Sequence, residues 1–192
     1  VSCNATKSFN TIGGGAVACR DAALAARLDS LKNFGLVDGE RVTAVGGNAK
    51  MNEFQAAMGL CNLRYFESEI EKRRLAVERY RRNLGNIEGI ALRPVPPGLK
   101  SNYAYFPASF EPEAFGSTRD DVAGELKRYN IFARKYFYPL TSAAECYGGR
   151  YNPEETPVAL HASERVLTLP LYAALTVGDV DDICEIIVSC KR

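Results

Sequence analysis

Between Asn52 and Leu84 the sequence has no proline and a single glycine, Gly59, so nothing in that stretch forces a helix to stop. Asn52 has the side chain of an N-cap, and Gln55 three positions later completes a capping-box-like pair. Phe54, Met58, Cys61, Tyr65, Ile70, Val77, Tyr80 and Leu84 recur near three- and four-residue spacing. The spacing predicts one helix about 45 to 50 Å long at 1.5 Å per residue, longer than a small domain is wide. Such a helix joins two domains or packs against a partner. The chain therefore divides around it, into residues 1–50, a connecting helix over 51–88, and a module over 89–192.

The first segment is rich in small residues. Gly13-Gly14-Gly15 leads into Ala16-Val17-Ala18-Cys19, which reads as a short buried strand. Residues 21–34 show helical spacing through Leu24, Leu28 and Leu31, with Gly35 placed to end the helix in the left-handed conformation. Residues 37–47 read as loop. In the last segment, residues 90–92 and 103–110 read as strands joined by a proline-rich connection, since proline has no backbone donor for a ladder. Residues 118–129 form a helix capped by Thr118, with Asp120 and Asp121 in its favourable first turn. Residues 131–138 read as a strand, and Thr176 caps a closing helix through Val188 with Val180, Ile183, Cys184 and Ile187 on one face.

Composition excludes several functions. A net charge of +1 gives no nucleic-acid or anionic-membrane footprint. The basic run Lys72-Arg73-Arg74 with Arg79, Arg81 and Arg82 is interleaved with glutamates and reads as a solvated helix face. No apolar run reaches the roughly 18 residues of a membrane span, and no secretory leader opens the chain. Six cysteines without a C-x-x-C pair, and one histidine, His161, give no zinc pattern and no disulfide framework, so no metal is expected. They read as reduced thiols packed as small hydrophobes in a cytoplasmic protein. The chain opens Val1-Ser2-Cys3 without an initiator methionine and reads as a piece of a longer protein.

The chemistry concentrates near Lys7. A lone loop lysine is ordinarily a solvated charge; it becomes a nucleophile when desolvated or set beside another cation. Neighbouring glycines would let backbone amides approach a phosphate. The string "SCNATKSFNTIGGGAV" resembles the cofactor-lysine segment of DegT/DnrJ/StrS-type nucleotide-sugar aminotransferases. "GGNAKMNEFQAAMGLCNL" is similar to that family's Gly-x-Asn-x-Arg-Met-x-Glu-x-Gln-Ala-Ala segment. "NIFARKYFYPL" and "ERVLTLPLYAALTVGDVDDI" resemble two further signatures, in the family's order.

The resemblance implies an α/β fold of the type I pyridoxal-phosphate-dependent transferases, here the end of the large domain plus the small α+β domain joined by the long helix. It implies that Lys7 carries pyridoxal 5'-phosphate, that Ser2 donates to the cofactor phosphate, and that Asn48 reaches the phosphate of a neighbouring subunit in a homodimer with shared active sites. Lys50 stands where the family often has arginine near the nucleotide-sugar, keeping the charge but losing the fork. Tyr103, Tyr136 and Tyr138 match positions lining the sugar cleft, although aromatics at alternate strand positions also serve a core. The implied reaction moves an amino group, from glutamate, onto a keto carbon of a dTDP-linked deoxysugar. Gly13 departs from the family's carboxylate, and the aspartate that pairs with the cofactor ring falls before Val1. Relatives that dehydrate sugars carry histidine in place of lysine, against which Lys7 argues. The alternative is a non-catalytic fragment or dimerisation module.

Overall fold

The computed structural model describes residues 1–192 and divides into two compact units, Val1–Glu67 and Ser68–Arg192. The division falls inside one helix, so each unit is taken in turn.

The first unit opens with a short hairpin. Ser2 bridges Gly15, the Cys3 amide donates to the Gly14 carbonyl (3.0 Å), and the Thr11 amide returns to the Cys3 carbonyl (2.9 Å). Helix α1, Ala22–Lys32, is capped by the Asp21 carboxylate, which accepts from the amides of Ala23 and Leu24. Gly35 has φ +75° and donates back to Ser30, closing the helix as its position predicts. Strands β1, Leu36–Val37, and β2, Arg41–Val42, pair antiparallel around Asp38 and Gly39, both left-handed. Residues 37–47 were expected to be plain loop; the Asp-Gly pair is the turn signal that makes a hairpin of them.

Helix α2, Glu53–Leu84, has 32 residues. Its start carries both halves of the capping box: Gln55 N–H donates to Asn52 Oδ1 (2.9 Å) and Asn52 N–H to Gln55 Oε1 (3.2 Å). The apolar periodicity is continuous along it, yet burial is not. Phe54 is 85% exposed and Met58, Cys61 and Tyr65 are exposed, while Ile70, Val77, Tyr80 and Leu84 are buried. Periodicity shows that a face can be covered; a neighbour must still be there to cover it.

In the second unit, β3 (Ile90–Leu92), β4 (Phe106–Phe110) and β5 (Val166–Leu169) form an antiparallel sheet in chain order. Helices α3 (Pro112–Phe115), α4 (Arg119–Arg128), α5 (Pro157–Arg165) and α6 (Val177–Ser189) complete it. Thr118 and Thr176 each close a full capping box, with Asp121 and Asp179 as the returning carboxylates. One apolar cluster takes in the later turns of α2, the sheet, α4 and α6, including Tyr80, Leu84, Phe110, Phe115, Leu126 and Ile187.

Two expected strands do not form. Residues 131–138 contribute a single bridge, Arg134 to Thr168; the chain then turns away, the Tyr136 amide donating to the Arg134 carbonyl (3.0 Å), so no further register with β5 is made. Residues 16–19 are exposed, Val17 at 74%, and only Ala16 is paired, exchanging backbone hydrogen bonds with Val1. The basic run is also more than a solvated face. Lys72 and Arg74 do pair with Glu69, Glu71 and Glu78 along the helix. Arg73, however, donates to the carbonyls of Leu171 (2.9 Å) and Tyr103 (3.4 Å), and burial pushes its guanidinium below its ordinary pKa. Arg79 forks onto Asp181 of α6 at 2.5 and 2.6 Å, and Arg81 caps the Arg93 carbonyl. Cysteines 19, 61 and 146 lie exposed rather than packed; Cys3 and Cys184 are buried.

Candidate active-site loop and cleft residues

Lys7 sits in the turn between Cys3 and Thr11, partly buried, with its amide donating to the Asn4 carbonyl (2.9 Å). The turn is braced by α2 through three contacts. Asn62 Nδ2 donates to the Asn10 carbonyl (2.8 Å), Phe9 meets Phe66 edge-on at 5.9 Å, and Thr11 packs onto Gly59. Gly59 costs helix propensity of about 1 kcal/mol. A Cβ there would lie 2.8 Å from Thr11 Cγ2, so the one weak residue in the helix is what lets the lysine turn close against it. Thr11 is itself buried, and its hydroxyl donates back to the Gly13 carbonyl.

The glycine run has a packing role of its own. Gly13 N–H is spent on the Thr11 carbonyl (2.8 Å), and Ala16 N–H on the Val1 carbonyl (3.0 Å). A Cβ on Gly15 would stand 2.7 Å from the Val1 carbonyl oxygen, and Gly14 has φ +115°. These glycines let the return strand approach Val1–Cys3 closely. Ser2 lies exposed on that same hairpin, five residues before Lys7.

Asn48 bridges Asn33 at the end of α1, where Gly47 N–H donates to Leu31 and Ala49 N–H to Lys32; its side chain is exposed. Lys50 Nζ donates to Asn33 Oδ1 (2.8 Å) and lies 5.1 Å over the Phe34 ring. These two contacts orient its ammonium.

The three tyrosines fall in the second unit and differ in setting. Tyr103 packs against the core, has φ +45°, and accepts from Arg73 at its carbonyl. Tyr136 meets Tyr105 edge-on at 5.8 Å, with Arg134 5.7 Å from its ring. Tyr138 is exposed and lies 4.6 Å from the guanidinium carbon of Arg119. Thus Ser2 joins Lys7 on one hairpin, Asn48 joins Lys50 beside α1, and Tyr136 and Tyr138 share one loop, which Tyr136 links to Tyr105, two residues beyond Tyr103. Sequence reading missed Asn62, Thr11 and Arg119. Only the last had a visible signal, as the first helical residue after the Thr118 cap.

Comparison with known proteins gives the class first. The chain has the fold of about half of a solved sugar aminotransferase. It matches DesI, a structure determined with its TDP-sugar product, at a TM-score of 0.89 and 34% identity, covering 98% of this chain and 48% of that one. It matches the aminotransferase TlmJ from Streptoalloteichus hindustanus at a TM-score of 0.86 and 27% identity, covering 98% and 50%. The chain belongs to the DegT/DnrJ/EryC1/StrS aminotransferase family, whose sequence profile matches residues 1–188. It is 38% identical over its whole length to a dTDP-4-amino-4,6-dideoxy-D-glucose transaminase of Shigella dysenteriae, and 40% identical over 88% of its length to the Escherichia coli protein of that name. The chain spans about half the length of the curated relatives it matches, 51% and 46% for these two. No helix is long and apolar enough to cross a membrane.

Proposed function

We propose that this chain supplies the cofactor lysine and the smaller domain of a pyridoxal-phosphate-dependent aminotransferase acting on a dTDP-linked 4-keto-6-deoxyhexose, with glutamate as amino donor. The observation that carries this reading is the Lys7 turn, held against α2 by Asn62, Phe66 and Gly59 within a chain that matches the family over residues 1–188. That match favours an enzyme over a dimerisation module.

The donor set suits the cofactor. Lys7 offers a primary amine on a partly buried turn, and Ser2 offers a hydroxyl to a phosphate on the same hairpin. Pyridoxal phosphate, when bound, supplies an electron sink for a carbanion at the reacting carbon. Lys7 Nζ would take a proton from the amino donor's α-carbon and deliver it to the cofactor's carbon, and run the reverse for the keto sugar, the fixed turn keeping the amine in reach of both. Ser2 Oγ and Asn48 Nδ2, the latter from a neighbouring subunit of a homodimer, hold the phosphate. Lys50 Nζ, oriented by Asn33 and Phe34, meets the nucleotide-sugar's negative charge. Tyr103, Tyr136 and Tyr138 shape the sugar cleft. We further read the connecting helix as the joint between a large-domain end and the smaller α+β domain of the type I fold, in a cytoplasmic enzyme.

No carboxylate precedes Asp21, so the first 20 residues hold no partner for a pyridine nitrogen. The 192-residue chain alone is expected to bind the cofactor weakly or not at all. The full-length enzyme is expected to show an absorbance band near about 400 nm, the region of a protein-linked pyridoxal. Lys7→Ala abolishes it; a variant that kept the band would remove Lys7 from the assignment.

A further inference from the structure

Residues 131–138 should not keep a fixed shape by backbone pairing alone, since one bridge at Arg134 is all the sheet gives them. Side chains of α4 hold them instead. Arg119 is 3% exposed. Its Nη1 donates to the carbonyls of Ser163 (2.8 Å) and Val166 (3.0 Å), where α5 ends and β5 begins. Its guanidinium faces the Tyr138 ring at 4.6 Å. Asp120, next along the helix, lies 2.5 Å from Arg119 Nε and also accepts Lys135 Nζ at 2.7 Å. One buried cation thus ties the α5–β5 junction to a loop residue that carries an exposed aromatic ring.

From this we infer that Arg119 is a positioning residue for substrate: it fixes the Tyr138 ring, and through Asp120 and Lys135 the loop, in the orientation that binds the sugar-nucleotide. This rests on the reading that Tyr138 faces the substrate. Arginine is required because Nη1 serves both carbonyls, Nε faces Asp120 and the flat guanidinium faces the ring, and a single ammonium nitrogen cannot do all three.

The test is steady-state kinetics of the full-length enzyme carrying Arg119→Lys, Arg119→Met, Tyr138→Leu, and Arg119→Lys with Tyr138→Leu. The thermal midpoint of each is measured beside it. Tyr138→Leu is expected to raise the sugar-nucleotide KM about 3- to 30-fold, the range of a lost ring contact. Arg119→Lys is expected to raise the same KM by a comparable factor with kcat changed less than about 2-fold, and to add nothing once Tyr138 is leucine. The glutamate KM stays constant in all of them. If Tyr138→Leu leaves the sugar-nucleotide KM unchanged, the reading of Tyr138 as a cleft residue falls, and the inference with it. If Tyr138→Leu raises KM but Arg119→Lys lowers only the thermal midpoint, Arg119 is purely structural and the inference alone is overturned. Should Arg119→Met fail to fold, Arg119→Lys decides.

Discussion

Leu63 and Leu84 lie on the same helix and differ in what the chain provides to cover them. Leu84 is 0% exposed in the last turn of α2 and belongs to the core cluster; Leu63 is 57% exposed. Truncating each to alanine removes the same atoms and raises helix propensity by the same small amount, so propensity cancels in the comparison. For Leu84→Ala the lost burial and residual cavity cost about 2 to 5 kcal/mol. Leu63→Ala loses little transfer energy and stays within about 0.5 kcal/mol of the parent. The assay is urea denaturation of the 192-residue chain, followed by far-ultraviolet circular dichroism and by tyrosine emission, since the chain has ten tyrosines and no tryptophan. With a slope of about 2 kcal/mol per molar urea, Leu84→Ala should bring the midpoint down by about 1 to 2.5 M and Leu63→Ala should leave it in place. Equal shifts for the two would refute the account of α2 as a helix covered along its later turns and uncovered along its earlier ones.

Asp181 provides a pH test. The Arg79 fork, and after it the Asn83 amide, hold its carboxyl down to about 2. A carboxylate with a depressed pKa stabilises above its ordinary value near about 4 and loses that contribution as pH falls toward 2. Thermal melts between pH 5 and 2 should therefore fall more steeply in the parent than in Asp181→Asn; parallel curves would dismiss the fork as a strut between α2 and α6. Two glycines separate conformational strain from collision. Gly89 and Gly98 both have φ near +80°, but a Cβ on Gly89 would lie 2.4 Å from the Phe115 amide nitrogen, whereas Gly98 has open space. Gly98→Ala should cost about 1 kcal/mol. Gly89→Ala should cost at least about twice that, read as a lower thermal midpoint, and similar midpoints for both would contradict the packing of Phe115 against that turn.

Elements whose signals are local were legible in the sequence. The α2 capping box is written in Asn52 and Gln55, and the buried face of α6 in four residues of one spacing. The Lys7 turn was legible as chemistry through its resemblance, though its mechanical support was not. Gly59 read only as a helix weakness, because its value lies in Thr11, some fifty positions away. The expected strand at 131–138 failed for a different reason: its side chains describe a surface that could pair, but the chain turns after Arg134, where the Tyr136 amide donates to the Arg134 carbonyl, and leaves the edge of β5 after one bridge. Arg119 was invisible as anything but a first-turn residue, since its carbonyl partners lie beyond position 160. The basic run misled because Arg73 and Arg79 share the spacing of solvated neighbours and differ only in what faces them.

The most direct test of the account is covalent. The full-length enzyme is incubated with pyridoxal phosphate, reduced with borohydride, digested and mapped by mass spectrometry. One stoichiometric phosphopyridoxyl group is predicted on Lys7. A label on another lysine, or a low label spread over exposed ones such as Lys32 and Lys72, would contradict it.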